Sequence, residues 1–315
     1  MPDHPRVHHT PVLCREVVRL LAPRPGGVIV DGTVGLGGHA EGLLREAPAF
    51  RLIGIDRDEK ALERARERLA RYGQRVTLLH GDYRDLDRLL DELGIDRIDG
   101  LLLDLGISSL QLDDASRGFS FRRDGPLDMR MDPTNGRPAA EWLAAAPQTE
   151  IAEVLASYGE ERYAERIARA IDEARRRAPI ETTDALAEIV RAAVPASYRR
   201  GRIDPATRTF QSIRIRVNGE LAALEEGLPA GFDRLARGGV LAVISFHSLE
   251  DRIVKRFFQL KAADCVCPPE LPECVCDKRV EAQIVTKRPL TPASLEVEAN
   301  PRARSAKLRA VRRVV

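Results

Sequence analysis

Three acids close three short apolar runs early in the chain: Asp31 after Val28-Ile-Val, Asp56 after Leu52-Ile-Gly-Ile, and Asp104 after Leu101-Leu-Leu. An acid leaving the end of a buried strand is poorly placed for packing and well placed for chemistry. Between the first two lies Gly32-Thr-Val-Gly-Leu-Gly-Gly-His39, where Gly35, Gly37 and Gly38 have no Cβ to keep a ligand away from the backbone. A dinucleotide needs its pyrophosphate on the helix N-terminus, where negative charge beside the turn is unwelcome, so Asp31 argues against NAD or FAD. The same acid suits a ligand carrying an ammonium and a sulfonium, and Asp56 is placed to accept from both hydroxyls of a ribose. Asp31, the glycines and Asp56 together read as a site for S-adenosylmethionine.

Further candidates follow the same strand ends. Asp104-Leu-Gly-Ile-Ser-Ser109 is expected to face the glycine loop across a cleft, the plainer reading of Asp104 being a turn or N-cap residue. Tyr83, in Gly81-Asp-Tyr-Arg, either flanks an adenine ring or is a half-buried aromatic at the sheet edge. In Ser245-Phe-His-Ser-Leu-Glu-Asp-Arg252, Ser248 reads as an N-cap with Asp251 at N3, which aims His247 into the cleft. His247 otherwise only bonds a backbone carbonyl. The His-Ser pair does not make a hydrolase, because the Gly-x-Ser-x-Gly elbow is absent.

Cys265, Cys267, Cys274 and Cys276 place four thiols within a short stretch, spaced Cys-x-Cys rather than Cys-x-x-Cys. They suit either tetrahedral zinc or a metal-free loop that oxidises easily. Arginines gather at 175–177, at Tyr198-Arg-Arg-Gly-Arg202, and through Arg208, Arg214 and Arg216. With Tyr198, Phe119 and Phe121 nearby, RNA or DNA contact competes with a plain solvated helix face.

The elements that must position these groups alternate. Strands are expected at 28–31, 52–56, 76–79 and 98–104, with helices near 39–47, 58–71 and 85–93, a pattern of parallel sheet with helices on both faces. A loop-like stretch rich in Asp, Arg, Gly and Pro runs from Gln111 to Gly136, and 138–194 reads as helix. Strand character returns at 240–246, 282–286 and 307–314. The architecture implied is α/β: a doubly wound, mostly parallel Rossmann-like sheet interrupted by an inserted helical domain, lying where ligands bind in such sheets.

The chain of 315 residues can bury a sizeable core, and a net charge of +2 leaves any nucleic acid to be held by a local patch. No apolar run reaches the roughly 18 residues of a membrane span, and residues 1–10 are polar, so a cytoplasmic protein without signal peptide or membrane contact is expected. Five cysteines, an odd number, do not form a secreted disulfide framework.

Taken in order, these motifs resemble the bacterial 16S ribosomal RNA (cytosine-N4)-methyltransferase family, the MraW family. The resemblance spans nearly the whole chain: His9-Thr-Pro-Val12, Asp31 to His39, Asp104 to Ser109 and Gln111-Leu-Asp113. It continues through Gly118-Phe-Ser-Phe121, Gly125 to Asp132, Ala206 to Gln211, Ser245 to Arg252 and Asn300 to Ser305. It implies a methyltransferase domain at 1–111 and 212–315, and an inserted, mainly helical domain at 112–211 that recognises RNA. The implied reaction methylates the exocyclic N4 of a cytidine in the decoding region of 16S ribosomal RNA, within the small ribosomal subunit. The family's donor site falls on Gly37, Gly38, His39, Asp56, Tyr83, Asp104 and Gln111. Asp104 is expected to be the acceptor beside the target amine, and His247 to orient or deprotonate. Two departures stand out: Leu110 where the family usually has proline, and Asp204 where histidine is expected before Pro205.

Overall fold

In a computed structural model describing residues 11–47, 49–201, 203–268 and 273–315, seven strands form one sheet in the order β3-β2-β1-β4-β5-β7-β6. The strands are β1 (Val28–Asp31), β2 (Arg51–Asp56), β3 (Val76–His80), β4 (Ile98–Asp104), β5 (Leu235–Ser245), β6 (Ala282–Ile284) and β7 (Lys307–Arg313). The first five run parallel, and β7 lies antiparallel between β5 and β6. Helices α1 (Cys14–Leu21), α2 (Gly38–Glu46), α3 (Glu59–Leu69) and α4 (Leu86–Glu92) come with the first four strands. Then follow α5 (Ser109–Asp113), α6 (Ala139–Ala145), α7 (Gln148–Gly159), α8 (Ala164–Arg175), α9 (Thr183–Ala193), α10 (Ala196–Arg199) and α11 (Ala206–Asn218). The chain closes with α12 (Glu220–Arg234), α13 (Ser248–Ala262) and α14 (Ser294–Ala299).

Contacts divide the chain into two compact units, residues 1–106 with 222–315, and residues 107–221. Within the first, strand alternation sends Leu101 and Leu103 to one face of β4 and Leu102 to the other. One face is covered by apolar residues of α4, α12 and α13, including Leu86, Leu224, Phe232 and Phe258. The opposite face is covered by α1, α2 and α3 through Val17, Leu43 and Leu62. A central strand buried on both sides needs apolar residues at every position, which is why Leu101-Leu-Leu does not alternate. Helix α12 lies close to the sheet because it carries glycines where it meets bulk: a methyl at Gly231 would run into Leu101, and one at Gly227 into the ring of Tyr83.

Helices α11 and α12 and strand β5 depart from the sequence expectation. Residues 206–218 and 220–234 are helical, although apolar periodicity pointed to helix only as far as residue 194. Strand β5 begins at Leu235 rather than near 240, its register shifting opposite Ile98 to Gly100, with Gly238 at φ 84°. The Gly-Gly pair at that irregularity hides the strand from any pattern of side chains.

The second unit has its own core, with Phe119, Leu127, Met129, Ile151, Leu155, Ile167 and Phe210 all buried. Its loop 114–136 is tightly knit. Asn218 Nδ2 donates to the Met129 carbonyl at 2.8 Å while its Oδ1 accepts the Met131 amide at 2.7 Å. Arg117 donates to the carbonyls of Arg130 and Met131, and Arg130 grips Asp128 with two nitrogens at 2.8 Å. These bonds hold Met129 at φ 63°, a left-handed conformation that a side chain seldom adopts without such support.

Candidate active site

Three neighbouring parallel strands, β2, β1 and β4, each end on an aspartate. Asp31 pairs with Gly54 on one side and Leu102 on the other, so Asp56 and Asp104 each reach two residues beyond it. The glycine turn is strung between these strand ends. The Gly32 amide donates to the Leu102 carbonyl at 2.9 Å and the Val34 amide to the Ile55 carbonyl at 2.9 Å. The Gly35 amide donates to Asp56 Oδ2 at 2.7 Å, and Thr33 Oγ1 accepts the Asp104 amide at 2.6 Å. Gly35 (φ 50°) and Gly37 (φ 75°) take the left-handed conformation that lets the chain turn from β1 into α2. A side chain on Gly37 would also press on Leu69 of α3 at 3.2 Å, and one on Gly38 on Pro11.

His39, the second residue of α2, is buried, and its Nε2 lies 3.4 Å from Asp104 Oδ2. Burial opposes a charged ring here. The Asp104 carboxylate, the Cys14 thiol and the charge of Asp31 nonetheless push its pKa up to about 10. Asp31 is 1% exposed. Burial lifts its pKa to about 7 against the pull of His39 and of the Thr33 amide, which donates to Oδ1. Burial likewise lifts Asp56 to about 6, although Gly35 and Asp58 amides both donate to it. Asp31 Oδ2 and Asp104 Oδ1 are buried without a hydrogen-bond partner among the described residues. Buried polar atoms left open cost about 1–3 kcal/mol each, so a cluster of them points to a polar ligand.

The remaining candidates are distributed. Tyr83 is 8% exposed and packs with Leu86 and Leu103. Gln111 lies in the second unit at N3 of α5, its Oε1 accepting the Ser108 amide at 3.0 Å while Ser108 Oγ accepts the Gln111 amide at 3.2 Å. Leu110 lies within the same helix, its carbonyl accepting the Asp114 amide at 3.1 Å, so proline is not required to form that turn. Asp204 takes a structural part: Oδ1 accepts the Ala206 amide at 2.8 Å and Oδ2 pairs with Arg191.

The cap assigned to Ser248 and Asp251 is corrected. His247 is the N-cap of α13, accepting the Glu250 amide, and Glu250 at N3 reaches back to the amides of Phe246 and His247. Asp251 is taken instead by Arg309 and Lys307, which hold its carboxyl below the usual range against the effect of burial. The His247 ring therefore caps its own helix through Nδ1, while Nε2, 3.1 Å from Glu250 Oε1, makes no hydrogen bond among the described residues.

The aromatic residues offered for base stacking are packed. Phe119 is buried, Phe121 meets Phe210 edge to face at 4.9 Å, and Tyr198 meets Tyr163 in the same way while donating to Glu161. Arg214 is locked to Glu220, and Arg175 to Asp172 and the carbonyl of Ala146. Arg199 and Arg200 are exposed; Arg202, like His9 and Thr10, lies outside the described residues. Thr33 and Cys14 were missed by sequence reasoning. A hydroxyl between the glycines and a cysteine far from the other four were their only signals. In the same first unit the four thiol sulfurs of Cys265, Cys267, Cys274 and Cys276 all lie within 4.8 Å of one another.

A doubly wound sheet with a glycine turn after β1 and acids ending β1, β2 and β4 is the architecture of a Rossmann-like methyltransferase. The chain belongs to the MraW methylase family, whose model matches residues 6–314. A ribosomal RNA small subunit methyltransferase H of Symbiobacterium thermophilum is 54% identical over 305 residues, covering 96% of each chain. The proteins of that name from Syntrophotalea carbinolica and Heliobacterium modesticaldum are 53% and 52% identical. They cover 97% and 98% of this chain, and 98% and 99% of their own lengths. Among the described residues no helix is long and apolar enough to cross a membrane.

Proposed function

We propose that this chain transfers a methyl group from S-adenosylmethionine to the exocyclic N4 amine of a cytidine in the decoding region of 16S ribosomal RNA. The observation that carries the donor assignment is the cluster of open buried atoms, Asp31 Oδ2 and Asp104 Oδ1, beside a glycine turn hung between two strand ends. Such a site suits a ligand that brings positive charge and hydroxyls. The names of the relatives support a small-subunit ribosomal RNA substrate, and the motif resemblance supports the cytidine amine.

The bound donor supplies an electrophilic methyl on a sulfonium centre. Asp31 faces the donor's ammonium, and Asp56 accepts from the ribose hydroxyls while holding Gly35 in place. Gly37 and Gly38 keep the backbone open for the donor, and Tyr83 completes its site within the same unit. Asp104 accepts a hydrogen from the target amine, whose lone pair is otherwise delocalised into the ring, so charge developing on nitrogen faces an anion. His39, 3.4 Å from Oδ2, orients Asp104 with Oδ1 left open. His247 stays a candidate for orienting the base, although its capping bonds compete with that role. The base must leave its stack to reach the carboxylate. The second unit, residues 107–221, recognises the RNA, with Arg199, Arg200 and Arg202 as phosphate contacts.

The test pairs donor choice with transfer. Calorimetry should detect S-adenosylmethionine binding and no NAD binding, and labelled methyl should pass to small subunits from cells lacking this activity. Binding of NAD in place of the methyl donor overturns the proposal.

A further inference from the structure

The four-cysteine excursion between α13 and β6 takes no part in the chemistry above. Its base is already closed by protein. The Glu281 amide donates to the Lys261 carbonyl at 2.9 Å, and the Lys261 ammonium pairs with Glu281 Oε2 at 2.7 Å. Its tip is not. Val266 and Val275, the middle residues of the two Cys-x-Cys arms, are 50% and 77% exposed, and Cys265 and Cys274 are exposed as well. Apolar burial therefore cannot be what brings the arms together.

The sulfurs themselves come together. Cys265 and Cys274 Sγ are 3.5 Å apart, Cys274 and Cys276 3.6 Å, Cys265 and Cys276 3.8 Å, and Cys267 and Cys274 4.0 Å. A tetrahedron of thiolates about 2.3 Å from a central zinc has edges of about 3.8 Å, whereas a disulfide needs about 2.05 Å. The arms also trade amides across the pair. Val266 N–H points at Cys276 Sγ at 3.5 Å and Val275 N–H at Cys267 Sγ at 3.4 Å, while Cys267 N–H points at Cys265 Sγ at 3.4 Å. Amide donors aimed at sulfur orient its lone pairs, as the partners around a metal ligand do.

From this geometry we propose that Cys265, Cys267, Cys274 and Cys276 form a structural tetrathiolate zinc site that holds the two Cys-x-Cys arms together. Zinc displaces the four S–H protons, which pass to solvent, and the closed four-sulfur shell leaves no position for a substrate. The metal replaces the core that so short a segment cannot build. The methyl-donor site does not depend on it.

The full-length protein, purified reduced and without chelator, should carry one zinc per chain by elemental analysis and native mass spectrometry. Cobalt exchanged into it should give the intense visible bands of a tetrahedral tetrathiolate centre. Chelation should release the metal and open residues 263–268 and 273–280 to protease while leaving S-adenosylmethionine affinity within about twofold. Cys274→Ser should lose stoichiometric metal and Cys14→Ser should keep it. Metal retained by a Cys274→Ser/Cys276→Ser double variant, a weak octahedral cobalt spectrum, or disulfides in the freshly reduced protein overturns the proposal. The cobalt spectrum of the parent decides the matter even where a cysteine variant fails to fold.

Discussion

Asp31→Asn separates the two roles that one buried carboxylate plays. In the folded chain burial lifts Asp31 from 3.8 to about 7, so the folded state holds a proton that the unfolded state has already lost across that window. Stability then falls as pH rises, by about 1.4 kcal/mol per unit for one full proton. Asparagine keeps the shape and the acceptor for the Thr33 amide but does not titrate. The parent should therefore lose about 2–3 kcal/mol relative to Asp31→Asn between about pH 5 and pH 7, and the difference should flatten above about pH 8. His39 has the opposite bookkeeping: its stabilisation is complete below 6.5 and lost as pH rises through about 10, and it leans on Asp104 more than on Asp31, so both proteins share it. Denaturant unfolding of the two proteins side by side at four pH values measures the difference. The same substitution should weaken S-adenosylmethionine binding by roughly ten- to a hundredfold, because a charge-assisted bond of about 1.5–3 kcal/mol is lost. Stability curves that run parallel across the whole range would refute the reasoning, since Asp31 would then titrate alike folded and unfolded.

Asp56→Ala should weaken donor binding by roughly ten- to a hundredfold in calorimetry, and Asp56→Asn, which can still accept from the Gly35 amide, should recover part of that loss. Unchanged affinity in both removes Asp56 from the donor site. Asp104→Asn should lower the single-turnover rate at saturating donor and RNA by more than it weakens donor binding, because an interaction made in the transition state shows in the rate. A rate that returns to the parent's once donor saturates makes Asp104 a binding residue. Replacing Arg199 and Arg200 by alanine should leave donor affinity intact and reduce the slope of log affinity against log salt for RNA by up to about two. An unchanged slope makes that cluster a solvated face.

The residues that end strands were legible because two demands coincide there. A buried parallel strand must be apolar throughout, so Asp31, Asp56 and Asp104 stand out as the first polar residues after it. The glycine turn was legible for a similar reason, since positive φ at Gly35 and Gly37 leaves little choice of residue. Side chains whose role comes from a neighbour far along the chain were not legible. Thr33 matters because the β4 backbone passes beside it, and Cys14 because α1 packs against the start of α2. Phe119, Phe121 and Tyr198 looked available for stacking only because nothing in the sequence shows the core that takes them. The helix cap at His247 was misplaced by one residue, since histidine is an uncommon cap and the Ser-Leu-Glu-Asp that follows offers two acids for one N3 position.

Nucleoside analysis of the product tests the central claim most directly. Small subunits from cells lacking this activity are incubated with the purified protein and labelled S-adenosylmethionine, then the ribosomal RNA is digested, its modified nucleoside identified by mass, and its position mapped. The account predicts label in a single N4-methylated cytidine of the decoding region, abolished when donor is omitted and strongly reduced by Asp104→Asn. Label on a ring carbon, on a ribose hydroxyl, or at a site outside the decoding region would contradict it.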